Sequence, residues 1–411
     1  MALSMPTLWR TFRLRHHHYE RYNPLLARRD DMQRLATLMD TWFDRAQGCS
    51  VWLDPNLDHI DLEAEVTKPF QQSLIRNSHK IGTLVLSCPI SAVVRLSDLR
   101  LRFPRLERVE MHLYQPRGVF GESADEEPQY SITLFRDCPL LHAVRVSGIP
   151  ISAIPLPFHQ LTWLRSYYYR ANRTFEMLAM APNLTHAILN TKRFPNDCDD
   201  LPTLVNHALR ELRLVDDAVH GERGLPSLLP FLTLPALEQL TVATYGNFDI
   251  RLVESLIRRS SCTLRHLELQ LCWDKHLESL TCLGSPLLSS LNVLDIWNPE
   301  ESIVTELFAA YGSDATFLPQ LHDLRLKFEV HQQLIPLAIH SAAVALQERE
   351  GLLAKLPRGS AKRIRSLRIK DAFNMGIHDL EGMDSDLLLL LAPTDGGMTV
   401  HLGEITLSSL G

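Results

Sequence analysis

One phrase, L-x-x-L-x-L, returns along this chain often enough to decide what it can fold into. It stands as "LERVEM" at Leu106, "LHAVRV" at Leu141, "LTHAIL" at Leu184 and "LRELRL" at Leu209. It continues as "LEQLTV" at Leu237, "LRHLEL" at Leu264, "LNVLDI" at Leu291, "LHDLRL" at Leu321 and "IRSLRI" at Ile364. "IGTLVL" at Ile81 is an earlier member and "LGEITL" at Leu402 a weaker last one; "LTWLRS" at Leu161 fits the first two apolar positions but ends in Ser166. From Leu184 to Leu321 successive phrases lie 25, 28, 27, 27 and 30 residues apart, and the next two gaps, 43 and 38, have room for insertions. Leucine accordingly makes up 73 of the 411 residues.

A period of that length fits one short strand and one helix per unit. Within L-x-L, side chains alternate between the two faces of a strand, so the leucines turn inward and the residues between them face solvent. A lone strand and helix cannot bury their apolar faces, whereas stacked neighbours share a continuous core. The pattern predicts an α/β leucine-rich-repeat solenoid, a horseshoe of irregular strand–helix units with a parallel sheet on its concave side. Helices are predicted between the strands. "DDMQRLATLMDTWFDRA" places Met32, Leu35, Met39, Trp42 and Phe43 on one face; "DIRLVESLIRRS" offers Asp249 as an N-cap with Leu252, Leu256 and Ile257 inward; "QQLIPLAIHSAAVALQEREGLLAKL" is a long helix with Pro336 near its start. The acidic stretch from Tyr114 to Tyr130 reads as a loop insertion.

Composition narrows the function classes. A net charge of −6 supplies no global basic field, which argues against nucleic acid as a partner. Seven cysteines without a CxxC pair, and an N-terminus without the apolar core of a signal peptide, predict reduced thiols in an intracellular protein, cytoplasmic or nuclear. No run of about 18 apolar residues is present, so no membrane association is expected. GxGxxG, P-loop, HExxH, GxSxG and EF-hand patterns are absent, and no catalytic, cofactor-binding or metal-binding residue is assigned; the chain is not expected to be an enzyme. His16–His18 are read as exposed polar residues, since consecutive side chains diverge. Cys262, Cys272 and Cys282 recur every ten residues but without paired zinc spacing, and are read as core. The basic segment from Leu356 to Lys370 is read as an exposed loop and strand.

The predicted binding surface is the concave face. The residue inside each final L-x-L forms a column of Glu110, Arg145, Arg165, Ile188, Arg213, Thr241, Glu268, Asp295, Arg325 and Arg368. Arg145, Arg165 and Arg213 form a basic section, Glu268 and Asp295 an acidic one, and Arg325 with Arg368 a basic end. Neighbouring columns contribute Trp163, Tyr167, His266, Trp297 and Lys327. Tryptophan, tyrosine and arginine are the residue types that dominate interface energetics, so a bipolar groove for a target protein is expected.

Ordered phrases also carry a resemblance. "MPTLWRTFRL" (Met5 to Leu14), "LATLMDTWFDRAQGCSVWLD" (Leu35 to Asp54), "FRDCPLLHAVRVSGI", "LPFHQLTWL", "MAPNLTHAIL", "LPALEQLTV" and "RSSCTLRHLEL" follow one another here. Together they resemble the segment that follows the F-box in a large group of fungal, mostly basidiomycete, F-box proteins, over roughly Pro6 to Phe328. In that family the F-box docks on a Skp-type adaptor of a cullin–RING ubiquitin ligase and the repeats present a target. The resemblance implies substrate recognition without intrinsic catalysis. It divides the chain into residues 1–15, a remnant following an F-box that is itself absent or truncated, and residues 16–411, the repeat domain. Adaptor and cullin are then partners only if an F-box is encoded upstream of Met1. The alternative is a stand-alone intracellular scaffold or enzyme inhibitor on the same array. By itself the chain is expected to be monomeric.

Overall fold

The computed structural model describes residues 5–13, 29–55, 65–99, 101–114, 130–191, 201–216, 228–244, 249–271, 281–329, 332–355, 357, 364–371, 399–402 and 405–408. The chain falls into two compact units, Met1–Tyr169 with Arg173–Leu184, and Arg170–Asn172 with Thr185–Gly411.

Most rungs of the ladder are built the same way, although at Leu209 the N–H reaches the Asn206 side-chain oxygen instead. The first leucine of the phrase lies just ahead of a strand, fully buried, and its N–H closes a tight turn onto the carbonyl three residues back. Leu106 bonds to Phe103, Leu141 to Cys138, Leu184 to Ala181, Leu237 to Leu234, Leu291 to Leu288 and Leu321 to Leu318, all at 3.0–3.2 Å. The next two N–H groups then converge on one carbonyl of the preceding rung. His142 and Ala143 donate to Glu107, Glu238 and Gln239 to Arg210, Asn292 and Val293 to Arg265, and Arg365 and Ser366 to His322. Where present, these shared acceptors start a strand at the same place relative to its neighbour, which fixes the register there.

In the first unit the strands β1 (Thr11–Arg13), β2 (Val51–Asp54), β3 (Ile81–Pro89), β4 (Arg108–Tyr114), β5 (Ala143–Ser147) and β6 (Trp163–Tyr169) pair in chain order, all parallel. Helices α1 (Arg29–Arg45), α2 (Lys68–Asn77) and α3 (Ile90–Asp98) lie between them in sequence, and α4 (Ala171–Met180) follows β6. Met32, Leu35, Ala36, Met39 and Phe43 form the buried stripe of α1. Trp42 is only half-buried, its ring edge-on to Trp9 at 4.5 Å. Asp40 ties α1 to α2 by accepting from Ser73 at 2.6 Å and Asn77 at 2.8 Å.

The second unit contains β7 (His186–Thr191), β8 (Leu204–Val205), β9 (Glu211–Asp216), β10 (Leu232–Thr233), β11 (Gln239–Thr244), β12 (His266–Leu271), β13 (Val293–Trp297), β14 (Asp323–Phe328), β15 (Ser366–Asp371), β16 (Thr399–Leu402) and β17 (Ile405–Ser408). Its main sheet runs β7-β9-β11-β12-β13-β14-β15-β16-β17, parallel except for the last pair; β8 and β10 form a separate parallel pair. Helices α5 (Arg251–Ser260), α6 (Glu301–Ser313) and α7 (Ile335–Leu353) complete it, with Pro336 in the first turn of α7. Parallel strands require crossovers, and these helices supply three of them.

Several sequence expectations are corrected. "LTWLRS" is a full rung: Ser166 takes a core position of β6 with no exposure, although its hydroxyl has no hydrogen-bond partner there. "LGEITL" is not a rung but crosses from β16 to β17, which turns back antiparallel; the last parallel strand is "TVHL" at Thr399. In α5 the inward residues are Val253, Leu256 and Ile257, while Leu252 is half-buried. Asp249 does accept from the Arg251 N–H at 2.9 Å, one residue outside the N-cap position.

In α7, within the charged run "QERE", Arg349 is 1% exposed. Its guanidinium lies over the Tyr311 ring and donates to the carbonyls of Tyr311, Asp314, Ala315 and Phe317. It satisfies backbone acceptors left open at and beyond the C-terminal turn of α6, where a positive charge also suits the helix dipole. Gly312 explains how α6 and α7 come so close, since a Cβ there would stand 3.0 Å from the Ala345 Cα.

Candidate functional site

The alternation that buries the leucines leaves the other sheet face open, and its side chains line up across strands. In the first unit Val85, Glu110, Arg145 and Arg165 occupy one column, flanked by Thr83, Arg108, Ala143 and Trp163 on one side and Ser87, His112, Ser147 and Tyr167 on the other. In the second unit the central column is Ile188, Arg213, Thr241, Glu268, Asp295, Arg325, Arg368 and His401. Gln270, Trp297, Lys327 and Lys370 run beside it, as do Glu211, Gln239, His266, Val293, Asp323 and Ser366. Every predicted site residue therefore lies on this open face, in two groups that belong to different units.

The first group is a stack of arginine and aromatic side chains. Glu110 is 8% exposed and clamped by two arginines, accepting from Arg108 Nε at 3.0 Å and Arg145 Nη1 at 3.3 Å. Arg145 also donates to the Tyr167 hydroxyl at 2.9 Å and lies 4.9 Å from that ring's centroid. Arg165 sits 4.8 Å from the same ring, and Arg108 covers Trp163 at 4.8 Å. Glu110 thus holds the stack together from beneath; at 8% exposure it offers little surface to a partner. Among the described residues Arg165 meets no carboxylate, and its Nε is buried without an acceptor.

The second group is a network of opposite charges. Glu268 accepts from Thr241 at 2.9 Å and from Gln270, which in turn accepts from Arg213 at 3.3 Å. Arg325 bonds to Asp323 at 2.6 Å and faces Asp295 at 3.7 Å, and Arg368 approaches Asp323 at 3.8 Å. The expected basic end at Arg325 and Arg368 is therefore reduced by one charge by Asp323, a residue outside the central column. Lys327 stands 3.4 Å from the Trp297 ring centroid and pairs with Glu329 at 3.1 Å.

Carboxylates on the two neighbouring strands, Glu268 and Asp323, raise the cost of ionising Asp295. Burial, followed by the adjacent Glu268, pushes the Asp295 carboxyl up to about 6, although Arg325 opposes the shift. Burial and the Arg325 charge hold His266 below the ordinary imidazole range, so it stays neutral at physiological pH; its Nε2 is buried without a partner. No group of three or more His, Cys, Asp or Glu among the described residues has metal-holding geometry.

Sequence reasoning missed Arg108 and Asp323, although both lie two residues before a predicted column member on the same face. The period-2 rule that found the column could have found them. Cys262 is buried and its thiol is pushed upward by that burial; Cys282 is half-buried. His16–His18, Cys272, Arg358, Lys362, Arg363 and residues 115–129 of the acidic insertion lie outside the described residues. No helix among the described residues is long and apolar enough to cross a membrane. Compared with known proteins, the chain matches no protein family and no curated protein.

Proposed function

We propose that this chain is a protein-recognition module, a leucine-rich-repeat solenoid that captures a target protein on the open face of its sheet. The observation that carries the reading is the placement of arginine, tryptophan and tyrosine in register on that face. Such side chains bring large contact area at low entropic cost and supply most hot-spot energy. Repeated corner geometry, with strands of the second unit starting 25, 28, 27, 27 and 30 residues apart, supports the repeat assignment. In the fuller form of the proposal the target is delivered for ubiquitination, with a Skp-type adaptor and cullin as partners of a form carrying an F-box ahead of Pro6, inside the cell. Transfer chemistry then belongs to the other subunits and this chain supplies specificity.

The test is site-specific photocrosslinking in the native host. A photoreactive side chain in place of Trp297 or Trp163 should crosslink a discrete protein, whereas one at Arg258, on the exposed side of α5, should not. Crosslinking of the same protein from Arg258 alone would place recognition on the helical side and refute the reading. Co-precipitation of a Skp-type adaptor with that protein is expected for the ligase form. Its absence alongside open-face crosslinking would leave a stand-alone recognition protein.

A further inference from the structure

We infer that the arginine–aromatic stack of the first unit is a docking point for an acidic peptide segment, with Arg165 the guanidinium that receives the incoming carboxylate. The inference rests on the reading of the open face as target-binding and specifies the chemistry of what binds.

Among the described residues, three guanidinium groups, from Arg108, Arg145 and Arg165, share the patch with one carboxylate, a local excess of two positive charges in a chain whose net charge is −6. The three are not equivalent. Arg108 commits its Nε–H to Glu110, and Arg145 commits one terminal nitrogen to Glu110 and the other to the Tyr167 hydroxyl. Among the described residues Arg165 contacts only the Tyr167 ring, 4.8 Å from its Cζ; its Nε is buried without an acceptor, and no hydrogen bond takes its terminal N–H groups. A held guanidinium with free donors loses little freedom when a carboxylate arrives, and the paired geometry suits a bidentate bond.

The partner's charge follows from the same arrangement. Glu110 lies beneath the stack at 10% side-chain exposure and already takes up part of the positive field. What remains fits one or two carboxylates rather than a polyanion. Trp163 and Tyr167, both half-exposed beside the arginines, offer apolar area to the residues flanking the acid. An acidic side chain next to an aliphatic or aromatic one is the expected local sequence in the partner.

A random twelve-residue peptide display library selected against the full chain, then sequenced, tests this. Asp and Glu should be enriched beside apolar residues in the selected peptides. The strongest binder, resynthesised with Gln for Glu, should bind at least about tenfold more weakly, as for loss of one charge-assisted pair. Arg165→Gln should weaken the acidic peptide by about the same factor and bind the Gln peptide as the parent does; Arg165→Lys should fall between. Because Arg165 meets no described carboxylate, its removal strands no buried charge, and an unchanged melting curve verifies the fold. Peptides without acidic enrichment, or acidic peptides insensitive to Arg165→Gln, overturn the inference. If peptides instead depend on Trp297 and not Arg165, the acidic assignment falls and target recognition stands. Peptides insensitive to every open-face substitution, or no selected peptides at all, count against both.

Discussion

Replacing Asp295 by asparagine should stabilise this protein, and the gain should depend on pH. Asp295 is 14% exposed at its side chain, directly across the ladder from Glu268, with Asp323 on the following strand. Burial and these two like charges push its carboxyl from 3.8 up to about 6 despite Arg325 at 3.7 Å. The folded protein therefore binds this proton more tightly than the unfolded chain does. The associated stability is fully present below pH 3.8 and is lost as pH rises through about 6. Once the group is ionised the loss approaches ~3 kcal/mol at about 1.4 kcal/mol per pH unit, and screening by water at the open face brings the expectation to about 2 kcal/mol. Asparagine keeps an acceptor for the Trp297 indole, and Arg325 retains Asp323 at 2.6 Å. Urea unfolding followed by circular dichroism between pH 4 and pH 8 would measure the effect. Parent and Asp295→Asn should differ little at the acid end, and the variant should gain progressively to a plateau above pH 7. A difference that stays flat with pH, or a variant less stable than the parent at pH 8, would refute the coupling of Glu268, Asp295 and Asp323. Glu268→Gln is the companion variant, and should shrink the pH-dependent gain because it removes the neighbouring charge.

Other consequences follow from single contacts. Arg349→Met should cost about 3 kcal/mol or more in urea unfolding, because four carbonyls, those of Tyr311 and Phe317 buried, lose their donor. Gly148→Ala should cost about 2 kcal/mol or more: φ is 75° and the new Cβ would stand 2.0 Å from the Leu113 carbonyl oxygen, and a lowered melting temperature would record it. Ser166→Ala should be neutral or stabilising by up to about 1 kcal/mol, since the hydroxyl is buried without a partner; a clear loss in thermal melts would reveal a bond that the arrangement does not contain. Trp297→Ala should weaken target capture by about tenfold or more without lowering the melting temperature, read by titration of the crosslinked partner.

The ladder was legible because its cause is local. A strand needs alternation, a shared core needs leucine at fixed places, and the repeat states both many times over, so the main-sheet strands from β3 to β15 were legible, whereas the short pair β8 and β10, outside the repeated phrase, was not. The central column from Glu110 to Arg368 followed from the same period. The rung at Leu161 was underrated because a serine can occupy a core position of matching size, which composition rules do not reward. "LGEITL" misled for the opposite reason: the spelling fits, but β17 turns back antiparallel and the phrase is split between two strands.

What the sequence determined by itself was the repeat, the strand positions and which residues share the open face, because these depend on period alone. The tertiary structure decided which charges cancel. Asp323 against Arg325, Arg108 against Glu110 and Arg165 over Tyr167 are pairs two residues apart on one strand, whereas the Arg145 bond to Glu110 and the approach of Arg325 to Asp295 need neighbouring strands to meet across about 5 Å. Arg349 belongs to the same class, an arginine drawn into the core by carbonyls more than thirty residues away. Coulomb and hydrogen-bond energies fall off within a few ångströms, so they are set by the pairing of distant segments, which a leucine count does not contain.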